Sequence, residues 1–244
     1  MASDNLKSRN DWAGIAKWVV FGVVAITALF LFKGEIGRFL ERAENIEISS
    51  DGLKIKTTQT LLGKAEVSSV NVKASEVIGE GIQGNTYVSH QHKFQIAWPS
   101  NGDWSASDTA GKSIMQQLGM PPTVDVPLVI MKNEMVGNFR PNVNVVVETI
   151  GSMSASDYIS MNIQALQQQG WQILTKDIDE ATQGGFISFY NTSFGSKVYQ
   201  FQRLAIASGK AYVITASQLP LDDFLSQQLR EELLSILNSF RVIG

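Results

Sequence analysis

The two histidines of the chain lie two residues apart, at His90 and His92. On an extended strand, side chains at positions i and i+2 point to the same side, so both imidazoles could bind one metal ion. Two ligands are too few for a protein metal site, and a third would have to come from Asp103, Asp108 or another acid. The alternative interpretation is a polar turn before the strand that begins at Phe94. The sequence therefore offers an incomplete candidate site for a metal or a small molecule.

A glycine-rich stretch at residues 79–84 reads Gly-Glu-Gly-Ile-Gln-Gly and matches the pattern G-x-G-x-x-G. That pattern binds phosphate when a strand precedes it and a helix N-terminus follows it. Here a turn and Tyr87-Val88 follow instead. We interpret the stretch as a linker that ends before a globular domain.

The remaining polar residues do not form a catalytic motif. Asp177, Asp179 and Glu180 cluster at a strand end and are typical of a solvated turn. The chain has no cysteine, which excludes disulfides, thiolate catalysis and cysteine-bound metal clusters. It also lacks the G-x-S-x-G elbow of serine hydrolases. We therefore expect no enzymatic activity and no cofactor, and the net charge of −3 argues against a nucleic-acid partner.

Aromatic residues crowd a predicted hairpin between residues 185 and 207. Most of them should lie in the core, because helices are expected to cover both faces of the sheet. Phe194 sits at the turn itself and is the one candidate here for contact with a partner protein.

Residues 12–32 form the longest apolar stretch and contain a single charge, Lys17. As a helix the stretch would span roughly 32 Å, close to the ~30 Å hydrocarbon core of a bilayer. Tryptophans suit the interfacial belt, and phenylalanines fill the apolar run. The residues that we assign to the membrane anchor are Trp12, Trp18, Phe21, Phe30 and Phe32. A secretory signal is the alternative, but no small-x-small cleavage site follows. We predict a single-pass helix with the lipid bilayer as its partner.

Glycines, prolines and other turn-forming residues divide the rest of the chain into segments. We predict a polar tail at residues 1–11, the transmembrane helix at 12–33, a juxtamembrane helix, hairpin and linker at 34–84, and a globular domain at 85–244. Within the domain, alternating apolar residues predict strands that short turns join, so they must pair antiparallel. Two helices, one opened by Ser154 and one beginning near Asp222, are predicted to cover the sheet. The fold class is therefore α+β, with an antiparallel sheet flanked by helices.

The order of these motifs resembles the PsbP-like superfamily, which includes PsbP, DcrB-like and Mog-type proteins. The resemblance covers residues 85–244, which are 160 of the 244 residues. It is carried by Tyr87, Phe94-x-Ile96-x-x-Pro99 with Trp104, Ser156-Asp157-Tyr158, the run from Gly209 to Thr215, and Ser239-Phe240. The resemblance implies an α-β-α sandwich with a binding or assembly role and no shared catalytic site.

These observations lead to one main hypothesis and one alternative. The main hypothesis is a membrane-anchored, non-catalytic interaction or assembly-factor domain that acts on another membrane or envelope component. Three basic residues on each side of the anchor leave its orientation open. The family resemblance favours a large domain outside the cytoplasm of a bacterial cell. The alternative is a small-molecule or metal-binding domain that uses the region around His90 and His92.

Overall fold

The computed structural model describes residues 79–112, 115, 122–137, 139–192, 197–220 and 224–243. The predicted tail, the anchor, residues 34–78 of the juxtamembrane segment and Phe194 all lie outside these residues. Within the described part of the chain, no helix combines the length and apolar character needed to cross a membrane. The prediction of an anchor therefore concerns residues that the structure does not describe.

The described residues form strands and helices in the following order along the chain. They are β1 (Gly81–Gln83), β2 (Thr86–Ser89), β3 (Phe94–Ala97), β4 (Trp104–Ser107), β5 (Val124–Lys132), β6 (Asn142–Thr149), α1 (Ala155–Gln168), β7 (Gln172–Asp179), β8 (Gly184–Asn191), β9 (Val198–Ala207), β10 (Lys210–Gln218), α2 (Phe224–Ser239) and β11 (Arg241–Val242).

A seven-stranded antiparallel sheet is the centre of the fold, with strand order β4-β5-β6-β10-β9-β8-β7. Strands β9 and β10 are joined by a two-residue turn in which Ser208 and Gly209 have φ angles of 51° and 72°. Positive φ at both turn positions matches the twist of paired strands, so this turn fixes the register of the hairpin. The antiparallel pairing predicted from the short turns is confirmed.

Helix α1 carries the chain from β6, near the middle of the sheet, to the edge strand β7. Its N-cap is Ser154, whose hydroxyl oxygen accepts a hydrogen bond from the Asp157 amide at 3.1 Å. The same hydroxyl donates to the Asp157 carboxylate at 2.7 Å. The Ser154 side chain thus provides a hydrogen-bond acceptor for a free amide of the first turn, as the sequence predicted for this helix start.

Each face of the seven-stranded sheet has its own core. Helix α1 packs on one face against β7, β8 and β9, and helix α2 packs on the other face against β6, β9 and β10. The α2 face is closed further by a four-stranded sheet with the order β1-β2-β3-β11. The α+β class with helices on both faces is therefore confirmed, and the second sheet is an addition to the predicted architecture.

The second sheet includes residues that we assigned to the linker before the domain. Strand β1 pairs with β2 through a turn at Gly84, whose φ of 60° suits glycine. Residues 81–83, which we interpreted as part of a linker, thus belong to a hairpin. Strands β1 and β2 have only three and four residues and show no periodic pattern, so sequence reasoning missed them, although it predicted the neighbouring strand that begins at Phe94.

Candidate functional site

The two histidines lie in the turn between β2 and β3 and not on a strand. His90 is exposed, whereas the side chain of His92 is 11% exposed. The Ser89 hydroxyl accepts a hydrogen bond from the His92 amide at 3.1 Å, and Lys93 has a φ of 60° that turns the chain back into β3. The strand geometry that would aim both imidazoles at one metal ion is therefore absent from this turn.

The partner of His92 is an acid that the sequence did not single out. Its Nε2 lies 2.9 Å from the carboxylate of Asp125 on β5. The hydrogen bond from His92 lowers the pKa of Asp125 below its usual value, although partial burial acts in the opposite direction. The pair joins the turn of the small sheet to a strand of the large sheet.

Two further contacts fasten the same turn to β10. The buried hydroxyl of Tyr212 donates to the carbonyl oxygen of His92 at 2.7 Å, and Lys210 Nζ donates to the carbonyl oxygen of Gln91 at 3.3 Å. The turn is thus held on the α2 face of the sheet by side chains from two strands. Its polar groups serve packing between the two sheets.

The third metal ligand suggested by the sequence is occupied elsewhere. Asp103 accepts a hydrogen bond from Asn101 at 2.8 Å and lies 4.0 Å from Lys132 Nζ. Within the described ranges, no three His, Asp or Glu side chains are arranged to hold a metal ion. Metal binding by His90 and His92 stays a prediction without a ligand set.

The acidic cluster at the end of β7 forms a turn, as the sequence indicated. Asp179 is exposed, and its carboxylate accepts hydrogen bonds from the Ala181 amide at 3.0 Å and the Thr182 hydroxyl at 2.8 Å. These bonds lower the pKa of Asp179 below its usual value. The carboxylate orders the turn into β8.

A polar contact ties helix α2 to the edge of the large sheet. Glu232 accepts hydrogen bonds from the Trp104 indole at 3.0 Å and from Lys132 Nζ at 2.8 Å. Lys132 Nζ also lies 5.1 Å from the centroid of the Trp104 ring. Trp104 is one of the residues that carry the family resemblance, and in this fold it positions α2.

Among the acids of the described residues, Glu148 on β6 has the pKa that is raised most. Its carboxylate accepts a hydrogen bond from the Tyr158 hydroxyl of α1 at 2.8 Å, and the residue is 1% exposed. Burial raises the pKa of Glu148 to about 7, although the hydrogen bond from Tyr158 acts in the opposite direction. Burial, together with the nearby Glu148 carboxyl, raises the pKa of Tyr158 well above its ordinary value. This pair joins strand β6 to helix α1.

The largest group of buried polar side chains lies on the α1 face, and sequence reasoning missed it. Strand pairing aligns these residues in two rows across three adjacent strands. One row is Asn142, Ser217 and Gln200, and the other is Asn144, Thr215 and Gln202. All six residues are 0% exposed.

Helix α1 contributes a seventh member of this group. The side-chain amide of Asn162, which is 1% exposed, donates to Gln202 Oε1 at 3.3 Å. Within the rows, the Gln200 amide donates to the Ser217 hydroxyl at 2.8 Å. We call these seven residues the polar rows.

Several atoms of the polar rows have no hydrogen-bond partner among the described residues. They are Asn142 Oδ1, both amide atoms of Asn144, Asn162 Oδ1, Gln202 Nε2 and Thr215 Oγ1. A buried polar atom without a partner costs roughly 1–3 kcal/mol of folding free energy, so these atoms reduce the stability of the fold.

A sequence signal for the polar rows existed in β6. The strand reads Asn-Val-Asn-Val-Val-Val-Glu-Thr, and the alternation of its valines at 143, 145 and 147 predicted a core face. The other face, with Asn142 and Asn144, is the one a half-exposed strand would turn to water. The structure buries both faces of β6. The asparagines that alternate with the valines therefore lie in the interior and not in water.

Comparisons with known proteins do not assign the chain to a family. No family model matches, and no curated protein sequence matches. Solved structures with similarity include PsbP from Synechocystis sp. PCC 6803 (14% identity, TM-score 0.43, covering 68% of this chain and 98% of that one). The Ran-binding protein Mog1p of Saccharomyces cerevisiae shows 12% identity and a TM-score of 0.42, covering 65% of this chain and 95% of that one. LpqN of Mycobacterium tuberculosis, involved in cell envelope biogenesis, shows 13% identity and a TM-score of 0.41, covering 67% of this chain and 87% of that one.

Proposed function

We propose that this protein is a membrane-anchored, non-catalytic binding domain that acts on another membrane or envelope component. The observation that carries the proposal is the charge-free run at residues 18–32, preceded by Trp12 and Lys17 at the expected interface. Together with Trp12 and Lys17, the stretch of residues 12–32 is long enough as a helix to match the ~30 Å hydrocarbon core of a bilayer. The resemblance of residues 85–244 to the PsbP-like superfamily adds the expectation of a binding or assembly role.

Contacts inside the domain support a role in binding over one in catalysis. Three pairs of ionisable groups bridge separate elements of the fold: His92 with Asp125, Glu232 with Lys132, and Glu148 with Tyr158. The largest polar cluster, the polar rows, consists of amides and hydroxyls. These groups donate and accept hydrogen bonds but do not exchange protons near neutral pH.

The proposal places the large domain outside the cytoplasm, with the N-terminal tail inside. The outer location follows from the family resemblance. The predicted partner is a membrane or envelope protein that the domain reaches from the bilayer surface.

Alkaline extraction of membranes from cells that express the full chain tests the anchor. We expect the chain to stay in the membrane pellet at high pH, as integral proteins do. Replacing Val23 and Ile26 with arginine should release it, since each arginine in the middle of such a helix costs about 2.5–3.5 kcal/mol of insertion. The matched control replaces both residues with leucine and should stay in the pellet. Extraction of the unmodified chain would contradict the anchor.

Cross-linking in intact membranes tests the binding role. We expect the full chain to form cross-links to one membrane or envelope protein at a constant ratio. The arginine variant should lose them although its folded domain is unchanged. A full chain that stays in the membrane and yields no such cross-links would contradict the binding role and leave the anchor standing.

A further inference from the structure

Glu148 has the surroundings of a neutral acid and not of a carboxylate. It is 1% exposed, and its neighbours in register on the adjacent strands are Val124 and Ala211. One carboxyl oxygen accepts the hydrogen bond from Tyr158 of α1, and the other has no partner among the described residues. A buried carboxylate needs several donors or a counter-charge, and one hydroxyl does not supply them. The contact between β6 and α1 therefore favours the protonated acid.

The charged groups of the elements around Glu148 do not neutralise it. They are Lys112 before β5, Asp125 on β5, Lys210 on β10 and Asp157 on α1. Asp125 and Lys210 lie on the other face of the sheet, where they contact the histidine turn. Lys112 and Asp157 are exposed. Among the described residues, the Tyr158 hydroxyl is the one group that acts on the pKa of Glu148.

The contact between α1 and the sheet contains further polar atoms without partners in the described residues. They are Oδ1 of Asn162 on α1, Nε2 of Gln202 on β9 and Nε1 of Trp171 after the helix. Each such atom is unfavourable while α1 covers it, and water satisfies it when the helix moves away. Opening of α1 therefore recovers hydrogen bonds that the closed contact lacks.

Both ends of α1 are followed or preceded by glycines with positive φ, at 63° for Gly151 and 82° for Gly170. No atom lies within 4 Å of the position that a Cβ would take at either residue. Residues at the ends of an element are the ones that absorb backbone rotation in a hinge motion. These two glycines are thus suited to let α1 move as one unit.

We propose that α1 is a pH-sensitive cover on the sheet. Protonated Glu148 keeps the helix closed through Tyr158, and loss of the Glu148 proton to water lets the helix open on Gly151 and Gly170. The strands stay paired while α1 opens, because the core on the α2 face is not involved. The inference goes beyond the proposed function and does not depend on the membrane anchor.

The direction follows from the proton affinity of the two states. Burial raises the pKa of Glu148 from an ordinary value of 4.5 to about 7 in the closed state. The closed state therefore binds the proton more tightly, so closure is favoured at low pH and weakens as the pH rises through 7. From these two pKa values, the equilibrium constant for opening should rise about 10-fold between pH 6 and pH 8.

Thiol labelling of the full chain in phospholipid nanodiscs tests the proposal, because the chain has no cysteine of its own. Ala165→Cys places a reporter on the buried side of α1, and Ala216→Cys places a control in the core of the α2 face. The probe is N-ethylmaleimide, and each rate is divided by the rate in the denatured chain at the same pH. This ratio should rise about 10-fold from pH 6 to pH 8 for Ala165→Cys, and Ala216→Cys should react at least about 10-fold more slowly at pH 8.

A second substitution in the Ala165→Cys chain identifies the group that titrates. Glu148→Gln keeps the shape of the protonated acid and does not ionise, so the rise in labelling between pH 6 and pH 8 should disappear. Glu134→Gln, at an exposed position, is the matched control and should retain the rise.

Three outcomes would overturn the proposal. If the cysteines at positions 165 and 216 react equally fast at pH 8, the whole domain unfolds and α1 is not a separate cover. If labelling at position 165 does not rise with pH, α1 does not open in this range. If the rise survives in Glu148→Gln, another group controls it.

Discussion

The two faces of the central sheet are built from alternate residues of the same strands, yet they differ in composition. On the α2 face, Val145, Ile214 and Phe201 lie in an apolar core that two aromatic-rich sheets and a helix close. On the α1 face, their neighbours Asn144, Thr215 and Gln202 are just as buried but polar. Because both faces exclude water, burial alone does not explain the difference. Both faces carry an apolar core that stabilises the fold. The polar rows replace part of that core on the α1 face, and their unpartnered atoms reduce the free energy of unfolding there.

The largest change in the free energy of unfolding is expected from a substitution in the core of the α2 face. Phe94 is fully buried, with its ring centroid 5.6 Å from Tyr87 and 5.5 Å from Phe240. Phe94→Ala removes a side chain that joins the two sheets and leaves a cavity, so the free energy of unfolding should fall by about 3–5 kcal/mol. Denaturant titration of the full chain measures it. Val242→Ala, at a 40% exposed position of the same small sheet, should change it by less than about 1 kcal/mol. A loss of less than about 1 kcal/mol in Phe94→Ala would contradict the prediction that the core between the two sheets stabilises the domain.

The second prediction concerns the pH dependence of the free energy of unfolding, which Glu148 on the α1 face should cause. Burial raises the pKa of Glu148 from an ordinary value of 4.5 to about 7 in the folded protein. A raised pKa means that the folded state binds the proton more tightly, so this stabilisation is complete below pH 4.5 and is lost as the pH rises through 7. The unfolding free energy should fall by on the order of 2–3 kcal/mol between pH 5 and pH 8.

Glu148→Gln sharpens that prediction, because glutamine keeps the shape of the protonated acid and does not ionise in this range. The part of the pH dependence that comes from Glu148 should disappear in unfolding curves measured at pH 5 and pH 8. Glu134→Gln, at an exposed position, is the matched control and should retain it. An unchanged pH dependence in Glu148→Gln would show that another group is responsible.

A smaller effect is expected from the contact between the histidine turn and the large sheet. His92→Ala removes the hydrogen bond to Asp125 and should cost about 1–2 kcal/mol of unfolding free energy. In a double-mutant cycle with Asp125→Ala, we expect a coupling energy of about 1 kcal/mol, because the two side chains contact each other. Additive effects in the cycle would mean that the pair does not hold the turn.

The smallest change in unfolding free energy is expected on the α1 face, and a matched substitution on the α2 face provides the comparison. Thr215→Val removes an unpartnered hydroxyl on the α1 face and should leave the unfolding free energy unchanged or raise it by up to about 1 kcal/mol. Ile214→Thr, one residue away on the α2 face, buries a new hydroxyl in an apolar core and should lower it by about 2–3 kcal/mol. Equal losses from both substitutions, measured by chemical unfolding, would contradict the distinction between the faces.

Six of the seven strands of the main sheet, all except β4, and both helices could be predicted from local patterns. Alternating valines in β6, the turn at Ser208-Gly209 and the N-cap at Ser154 are signals that act over a few residues. The small sheet could not be predicted, because β11 has two residues and pairs with β3 only when α2 brings them together. The candidate site was missed for a related reason. Asp125 lies 33 residues after His92, and the polar rows come from three strands that only the tertiary fold aligns.

In the proposed function, a membrane helix holds the binding domain outside the cytoplasm. Protease treatment of cells stripped of their outer barrier tests this arrangement most directly. We predict that the full chain stays with the stripped cells and that added protease then digests the domain while the membrane is intact. Protection of the domain until the membrane is broken would place it in the cytoplasm. Release of the intact chain on stripping, before protease is added, would contradict the anchor.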